Sequence, residues 1–365
     1  MGFKCGIVGL PNVGKSTLFN ALTKTAAAQA ANFPFCTIEP NIGEVPVPDA
    51  RLYEIARIGK SKEIIPTRLS FVDIAGLVKG ASKGEGLGNQ FLGNIREVDA
   101  IAHVLRCFED TDITHVEGRI NPVEDALTVE TELMLADLES LEKRVPALEK
   151  KIKGQDKEAV AALKLIERCL PLLREGKAAR TLDVSEDEQS TFNALNLLTS
   201  KPVLYVCNVE EEASESGNEF SAQVEKFATD QGAACVIISA NIEAEIAQLD
   251  DEDAKEYLAD LGLSEPGLDR LIRTGYDLLH LITYFTVGPK EARAWTIPLK
   301  TKAPKAAGVI HTDFEKGFIR AETISYNDFV ALGGEQGAKE AGKMRLEGRD
   351  YVVADGDIMH YRFAN

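Results

Sequence analysis

The feature that most narrows what this chain can fold into is a glycine-bounded run close to its start. Gly9-Leu10-Pro11-Asn12-Val13-Gly14-Lys15-Ser16 fits the pattern G-x-x-x-x-G-K-[ST]. An apolar stretch, Lys4–Val8, leads into it, and Thr17-Leu18-Phe19-Asn20-Ala21-Leu22 opens a helical pattern behind it. Strand, glycine loop and helix in that order make an anion nest, because successive backbone N–H groups converge at a helix N-terminus. Asn12, Val13, Gly14, Lys15, Ser16 and Thr17 are therefore the expected phosphate-binding residues. Lys15 is expected to reach the β- and γ-phosphates, and Ser16 to ligate Mg2+.

Short apolar runs recur at Leu69–Asp73, Ala100–Cys107, Val203–Cys207 and Cys235–Ser239. They read as strands buried on both faces of a parallel sheet, with helices such as Ser16–Lys24 and Phe220–Gln231 between them. This alternation predicts an α/β fold with a doubly wound P-loop domain. From Leu127 the pattern changes. Leu127, Met134, Leu138, Leu141, Val145, Leu148 and Ile152 form a heptad seam that stops at Gly154-Gln155-Asp156. Val160, Leu163, Ile166, Leu170 and Leu173 then form a second apolar stripe. The pair predicts an antiparallel helical hairpin, with Pro146 and Pro171 expected to kink or interrupt it. A plain packing element of the main domain is the alternative. An amphipathic helix within 262–284 is followed by short strand patterns at Tyr284–Val287, Ala292–Ile297, Phe318–Ile324 and Tyr351–Val353. The turn Asp355-Gly356-Asp357 before Ile358–Phe363 reads as a hairpin. The expected division is a P-loop domain at 1–125 and 201–280, a helical coiled-coil insert at 126–200, and a small C-terminal domain at 281–365.

The formal net charge of -17 argues against indiscriminate binding of nucleic acid or anionic membrane. It is uneven: residues 281–365 hold 12 Lys+Arg against 11 Asp+Glu, so the acid lies in the first 280. Six cysteines without a CxxC pair read as a reduced, cytoplasmic chain without a disulfide framework. The motif begins so early that no signal peptide is expected, and no apolar run approaches the roughly 20 residues needed to span a bilayer.

Two further elements support nucleotide binding. Asp73-Ile74-Ala75-Gly76 closes the Leu69–Asp73 strand. Asp73 there can hold Mg2+ through water, and the Gly76 N–H can sense a γ-phosphate. Between the two motifs lies Asn32-Phe33-Pro34-Phe35-Cys36-Thr37-Ile38-Glu39-Pro40-Asn41. Thr37 is a candidate Mg2+ ligand there, with an ordinary loop threonine as the other reading. Six glycines between Gly76 and Gly93 predict a switch-like segment that orders only when held.

The glycine loop, the Asn32–Asn41 segment and Asp73-Ile74-Ala75-Gly76-Leu77-Val78-Lys79-Gly80-Ala81 resemble the Obg-related translation-factor GTPases, and most closely the YchF/Obg-like ATPase subfamily. The likeness extends to Thr296-Ile297-Pro298-Leu299-Lys300 and His311–Ala321, which look like a TGS domain of β-grasp type. It implies a regulatory NTPase cycle, association with the ribosome or RNA through the TGS and helical domains, and a role in translation or stress regulation. Lys300, Lys302, Lys305, Lys316 and Arg320 are a candidate basic face, or equally a solvated strand surface.

Two departures from a G domain bear on chemistry. Guanine is ordinarily read by Asn-Lys-x-Asp, but here Asn208-Val209-Glu210-Glu211 follows the strand. The longer Glu211 side chain misplaces both acceptors for guanine, and unpaired buried donors are costly. The resemblance implies a preference for ATP with this pattern, with Asn208 still near the base and Ser239-Ala240 lining it. An acidic loop with no base contact is the alternative reading of 208–212. The second departure is Leu77, which stands where Ras-like domains place a water-orienting Gln. Intrinsic hydrolysis is then expected to be slow, with His115 as a candidate catalytic substitute or else a solvated loop histidine. A GTPase, a metabolic kinase and an RNA-binding adaptor with a structural nucleotide are the competing readings.

Overall fold

The structure is a computed structural model that describes residues 3–30, 42–74, 87–109 and 120–364. Its strands, in chain order, are β1 (Lys4–Val8), β2 (Ile42–Pro46), β3 (Glu63–Ile65), β4 (Arg68–Asp73), β5 (Ala100–Arg106), β6 (Val203–Asn208), β7 (Ala234–Ile238), β8 (Leu281–Val287), β9 (Glu291–Pro298), β10 (Phe318–Ser325), β11 (Arg345–Glu347) and β12 (Asp357–Phe363). Among the described residues they form two six-stranded sheets, ordered β2-β4-β1-β5-β6-β7 and β11-β10-β12-β8-β9-β3.

In the first sheet β4, β1, β5, β6 and β7 are parallel neighbours. Every residue of β5 and β6 is buried, as unbroken apolar runs require when both faces are covered. The chain leaves β1 toward β4 on one side and returns to β5 on the other. That reversal puts a crevice at the carboxyl ends of β1 and β5, where doubly wound sheets bind their ligands. The α/β, P-loop expectation agrees with this topology.

The insert is a hairpin of two helices, Pro122–Ile152 and Lys157–Arg174. Asn121 and Asp156 cap their starts through side-chain oxygens. Both helices run through their prolines, so of the expected kink or interruption the interruption does not occur. Pro146 and Pro171 lie on exposed faces, as do Glu142 and Glu167 four residues before them, whose carbonyls are left without an intrahelical donor. Water can satisfy those carbonyls, and hairpin packing through Leu141, Leu165, Ile166 and Cys169 holds the rest. The heptad seam also needs correction. Leu127 of the seam, like Val160 at the start of the second stripe, is exposed, while Asp125, Ala126, Val129, Leu133, Met134, Asp137 and Leu141 are buried. The first turns of the long helix thus bury a helical-period face of their own, which the heptad register does not match.

Buried polar groups join the insert to the strands beside it. Asp137, almost fully buried, accepts hydrogen bonds from the Leu198 and Thr199 amides at 2.8 Å each and from the Thr199 hydroxyl at 2.7 Å. Burial still pushes its carboxyl above the usual range. Arg180 pairs with Glu130, which also accepts from the Tyr205 hydroxyl of β6 at 3.3 Å.

The contacts divide the chain into two compact units, Met1–Val45 with Ser70–Gly275, and Pro46–Leu69 with Tyr276–Asn365. The sequence division differs here, since it leaves 46–69 in the first domain. In the second unit β3 pairs in parallel with β9, and the helix Ala50–Gly59 packs Leu52, Ile55 and Ala56 against Phe285, Ala292 and Phe329. Tyr351–Val353 is not a strand; only Val352 makes a bridge, to Lys302. The Asp355–Asp357 turn closes no hairpin either, because β12 pairs antiparallel with β10 and parallel with β8.

Free thiols are found at Cys5, Cys107, Cys169, Cys207 and Cys235. Among the described residues no helix is long and apolar enough to cross a membrane.

Candidate nucleotide-binding site

The glycine loop follows β1 and ends at the helix Lys15–Ala30, as its pattern requires. Gly9, Asn12 and Gly14 have φ values of 155°, 64° and 97°, the positive-φ geometry that turns successive N–H groups toward one point. Gly14 is obligatory for a second reason: a Cβ there would collide with the Asn208 side-chain amide. Val13 is buried, whereas Asn12 and Ser16 are exposed and Thr17 is half-buried in the first turn of the helix.

Lys15 is folded back on its own loop. Its Nζ donates to the Leu10 carbonyl at 2.6 Å. Burial pushes its pKa down to about 8, against the opposing pull of the Asp73 carboxylate. Asp73 ends β4 opposite Ile7 of β1, which brings it beside the loop. It is half-buried, and desolvation raises its carboxyl despite the Lys15 charge. A hydroxyl at Ser16 and an incompletely compensated carboxylate at Asp73 fit a hard cation that keeps most of its bonds to phosphate and water. Among the described residues no group of three or more His, Cys, Asp or Glu side chains is placed to hold a metal ion.

Asn208, the last residue of β6, binds two loops at once. Its Nδ2 donates to the Val13 carbonyl at 3.0 Å and its Oδ1 accepts from the Ala240 amide at 2.9 Å. Ser239 and Ala240 are buried at the end of β7, where Ala240 opens the helix Ala240–Ile246. Val209 is buried and donates from its backbone to Ile238 at 2.9 Å, while Glu211 is exposed at the start of a short 3-10 turn. The structure therefore gathers Asn12–Thr17, Asp73, Asn208, Val209, Ser239 and Ala240 at the carboxyl ends of the parallel strands. Thr37, Gly76, Leu77 and His115 lie outside the described residues.

Sequence reasoning missed three supporting groups. Arg106 ends β5 paired with Asn208, is almost wholly buried, and has its guanidinium 4.7 Å from the Phe108 ring centroid. An arginine closing an apolar strand was the available signal. Asn218 donates to the Cys107 carbonyl at 2.6 Å and to Glu210 at 3.0 Å, bracing the loop after β6. Glu243, one turn into the helix after Ala240, is buried with only one of its carboxyl oxygens engaged. Of the candidate basic face in the other unit, Lys302 pairs with Asp350 and Lys305 with Glu315, so much of that charge is neutralised within the chain.

Over all of its length the chain is 60% identical to a ribosome-binding ATPase YchF of Pasteurella multocida (strain Pm70), covering 99% of that protein. The chain belongs to the YchF family. The Bacillus subtilis (strain 168) ribosome-binding ATPase YchF is 52% identical over the full length of both proteins. A solved structure of the Schizosaccharomyces pombe YchF GTPase superposes with a TM-score of 0.88 at 39% identity, covering 99% of this chain and 98% of that one. Within the YchF framework, residues 4–136 match the family described as 50S ribosome-binding GTPase. Residues 281–364 match the YchF-GTPase C-terminal family, described as a protein of unknown function.

Proposed function

We propose that this chain is a cytoplasmic, ribosome-associated ATPase that binds Mg2+ and ATP at the glycine loop and turns ATP over slowly. Its bacterial relatives named above are ribosome-binding ATPases, and the site is compatible with that work. The observation that carries the nucleotide class is the loop after β6. Where a guanine reader needs a lysine stem and a short carboxylate, this chain has a buried Val209 and an exposed, longer Glu211.

In this reading the loop amides and Lys15 hold the phosphates. Lys15 exchanges the Leu10 carbonyl for a phosphate oxygen. Ser16 and Asp73, with Thr37, hold the metal, which neutralises phosphate charge when bound. Asn208 keeps the phosphate loop and the Ser239–Ala240 backbone in one register, so phosphate and base are recognised together. Gly76 contacts the γ-phosphate, and His115 orients the attacking water in the place that Leu77 cannot serve. The helical insert and the C-terminal unit, read as a TGS domain, present the nucleotide state to ribosomal RNA or protein.

The test is turnover and co-sedimentation with purified ribosomes, using wild type and His115→Ala. The expected result is slow ATP hydrolysis, ribosome association that depends on the bound nucleotide, and loss of hydrolysis but not of ATP binding in the variant. Turnover that never rises above background with or without ribosomes would favour an adaptor with a structural nucleotide. A second reading, a GTP-hydrolysing enzyme, draws on the 50S ribosome-binding GTPase match over 4–136 and is decided by nucleotide competition.

A further inference from the structure

Glu243 is an expensive residue to keep. It is almost fully buried, its Oε1 accepts from the Gly267 amide at 2.7 Å, and its Oε2 has no hydrogen-bond partner among the described residues. Burial pushes its pKa up to about 7, with the Gly267 and Leu268 amides and then Arg270 working against the rise and Asp269 adding to it. A side chain chosen for packing alone would not leave a buried carboxyl oxygen unpartnered.

Its surroundings show what that cost secures. The Glu243 amide donates to the Ser239 carbonyl at 3.1 Å, which fixes the first turn after the proposed base-lining residues. Its carboxyl group then fastens that turn to the first amide of the helix Gly267–Leu278, satisfying an N–H that has no partner within that helix. The start of the helix is closely packed here: a Cβ at Gly267 would fall 2.8 Å from Ile238 of β7 and 2.9 Å from Glu243 Oε1. Arg270, one turn on, donates to the Ile237 carbonyl of β7 at 3.0 Å. Ala240 is thus held by Asn208 on the phosphate side and, through Glu243, by the helix Gly267–Leu278 on the other.

We infer that Glu243 is a positioning residue for nucleotide recognition: it holds the Ser239–Ala240 backbone in the place where a base is read, and contributes to affinity for the nucleoside rather than for the phosphates. This rests on the proposed ATP site.

The experiment measures dissociation constants of Mg2+-ATP and of Mg2+ with inorganic triphosphate on the full chain, for wild type, Glu243→Ala and Glu243→Gln. Wild type is expected to prefer ATP. In Glu243→Ala, ATP binding is expected to weaken about tenfold while triphosphate binding stays within about twofold. Glu243→Gln keeps an acceptor for the Gly267 amide and is expected to restore ATP binding to within about twofold of wild type. An unchanged ratio in Glu243→Ala, or equal losses for both ligands, overturns the inference while leaving the ATP site standing. A wild type that binds triphosphate as well as ATP overturns the site reading and the inference with it.

Discussion

The two sheets handle polarity in opposite ways. β5 and β6 are buried at every position, so the few polar side chains on the sheet faces around them, such as Tyr205 beside Glu130, are enclosed. Polar groups collect instead at the strand ends: Asp73, Arg106, Asn208 and Ser239 close β4, β5, β6 and β7 or the turns after them, on either side of β1. In the second sheet β9 and β10 mix buried with half-buried and exposed positions. Charged residues there sit along the strands and pair across or within them: Arg362 of β12 reaches Glu322 of β10 at 3.1 Å, and Arg345 reaches Glu347 on its own strand β11 at 3.0 Å. A sheet covered on both faces concentrates function at one edge of its strands, while a sheet open on one face spreads charge and cancels it locally.

The comparison is broken most easily at the strand ends. Gly14→Ala forces a Cβ into the Asn208 amide at a φ of 97°, and is expected to weaken nucleotide binding at least about 100-fold by calorimetry. Next in size is Asp137→Ala, which leaves the Leu198 and Thr199 amides and the Thr199 hydroxyl unpaired. Denaturant unfolding of the first unit should show a loss of about 2–4 kcal/mol.

Two pH effects are smaller. The folded pKa of Glu243, about 7, lies above the ordinary carboxylate value, so the folded state holds more protons in that interval. Its contribution to stability is therefore greatest at acid pH and falls as pH rises toward 7, by about 3 kcal/mol. Glu243→Gln should remove that slope in unfolding measured between pH 5 and 8, and a variant with the wild-type slope would reassign it to another group. Burial pushes the Lys15 pKa down to about 8, so phosphate affinity should fall above that pH, by up to about tenfold per pH unit. Flat affinity from pH 7 to 9 would show that the Leu10 carbonyl and Asp73 hold the ammonium charged. Last, Lys305→Ala removes an exposed pair with Glu315 and should change stability by no more than about 0.5 kcal/mol.

The same contrast explains what could be read from the residues alone. Unbroken apolar runs marked β1, β4, β5, β6 and β7 to within a residue or so, because burial on both faces leaves a continuous signal. The glycine loop and Asp73 were legible because phosphate chemistry dictates residue types at fixed spacing. β3 was not, since three half-exposed residues gain their strand character only by pairing with β9, more than two hundred positions later. The start of the long insert helix was misread because its buried face is set by the strands beneath it and not by its hairpin partner. Glu243 carried no local signal at all: its partner, Gly267, comes from a helix that sequence spacing does not connect to it.

In the proposed function the glycine loop and the Asn208–Glu211 loop together form a site for ATP that does not select guanine. Equilibrium competition of ATP and GTP for the same labelled nucleotide, with Mg2+ present, addresses it directly. ATP should displace the label at a concentration at least about tenfold lower than GTP. Displacement by GTP at the lower concentration would contradict the reading of Val209 and Glu211.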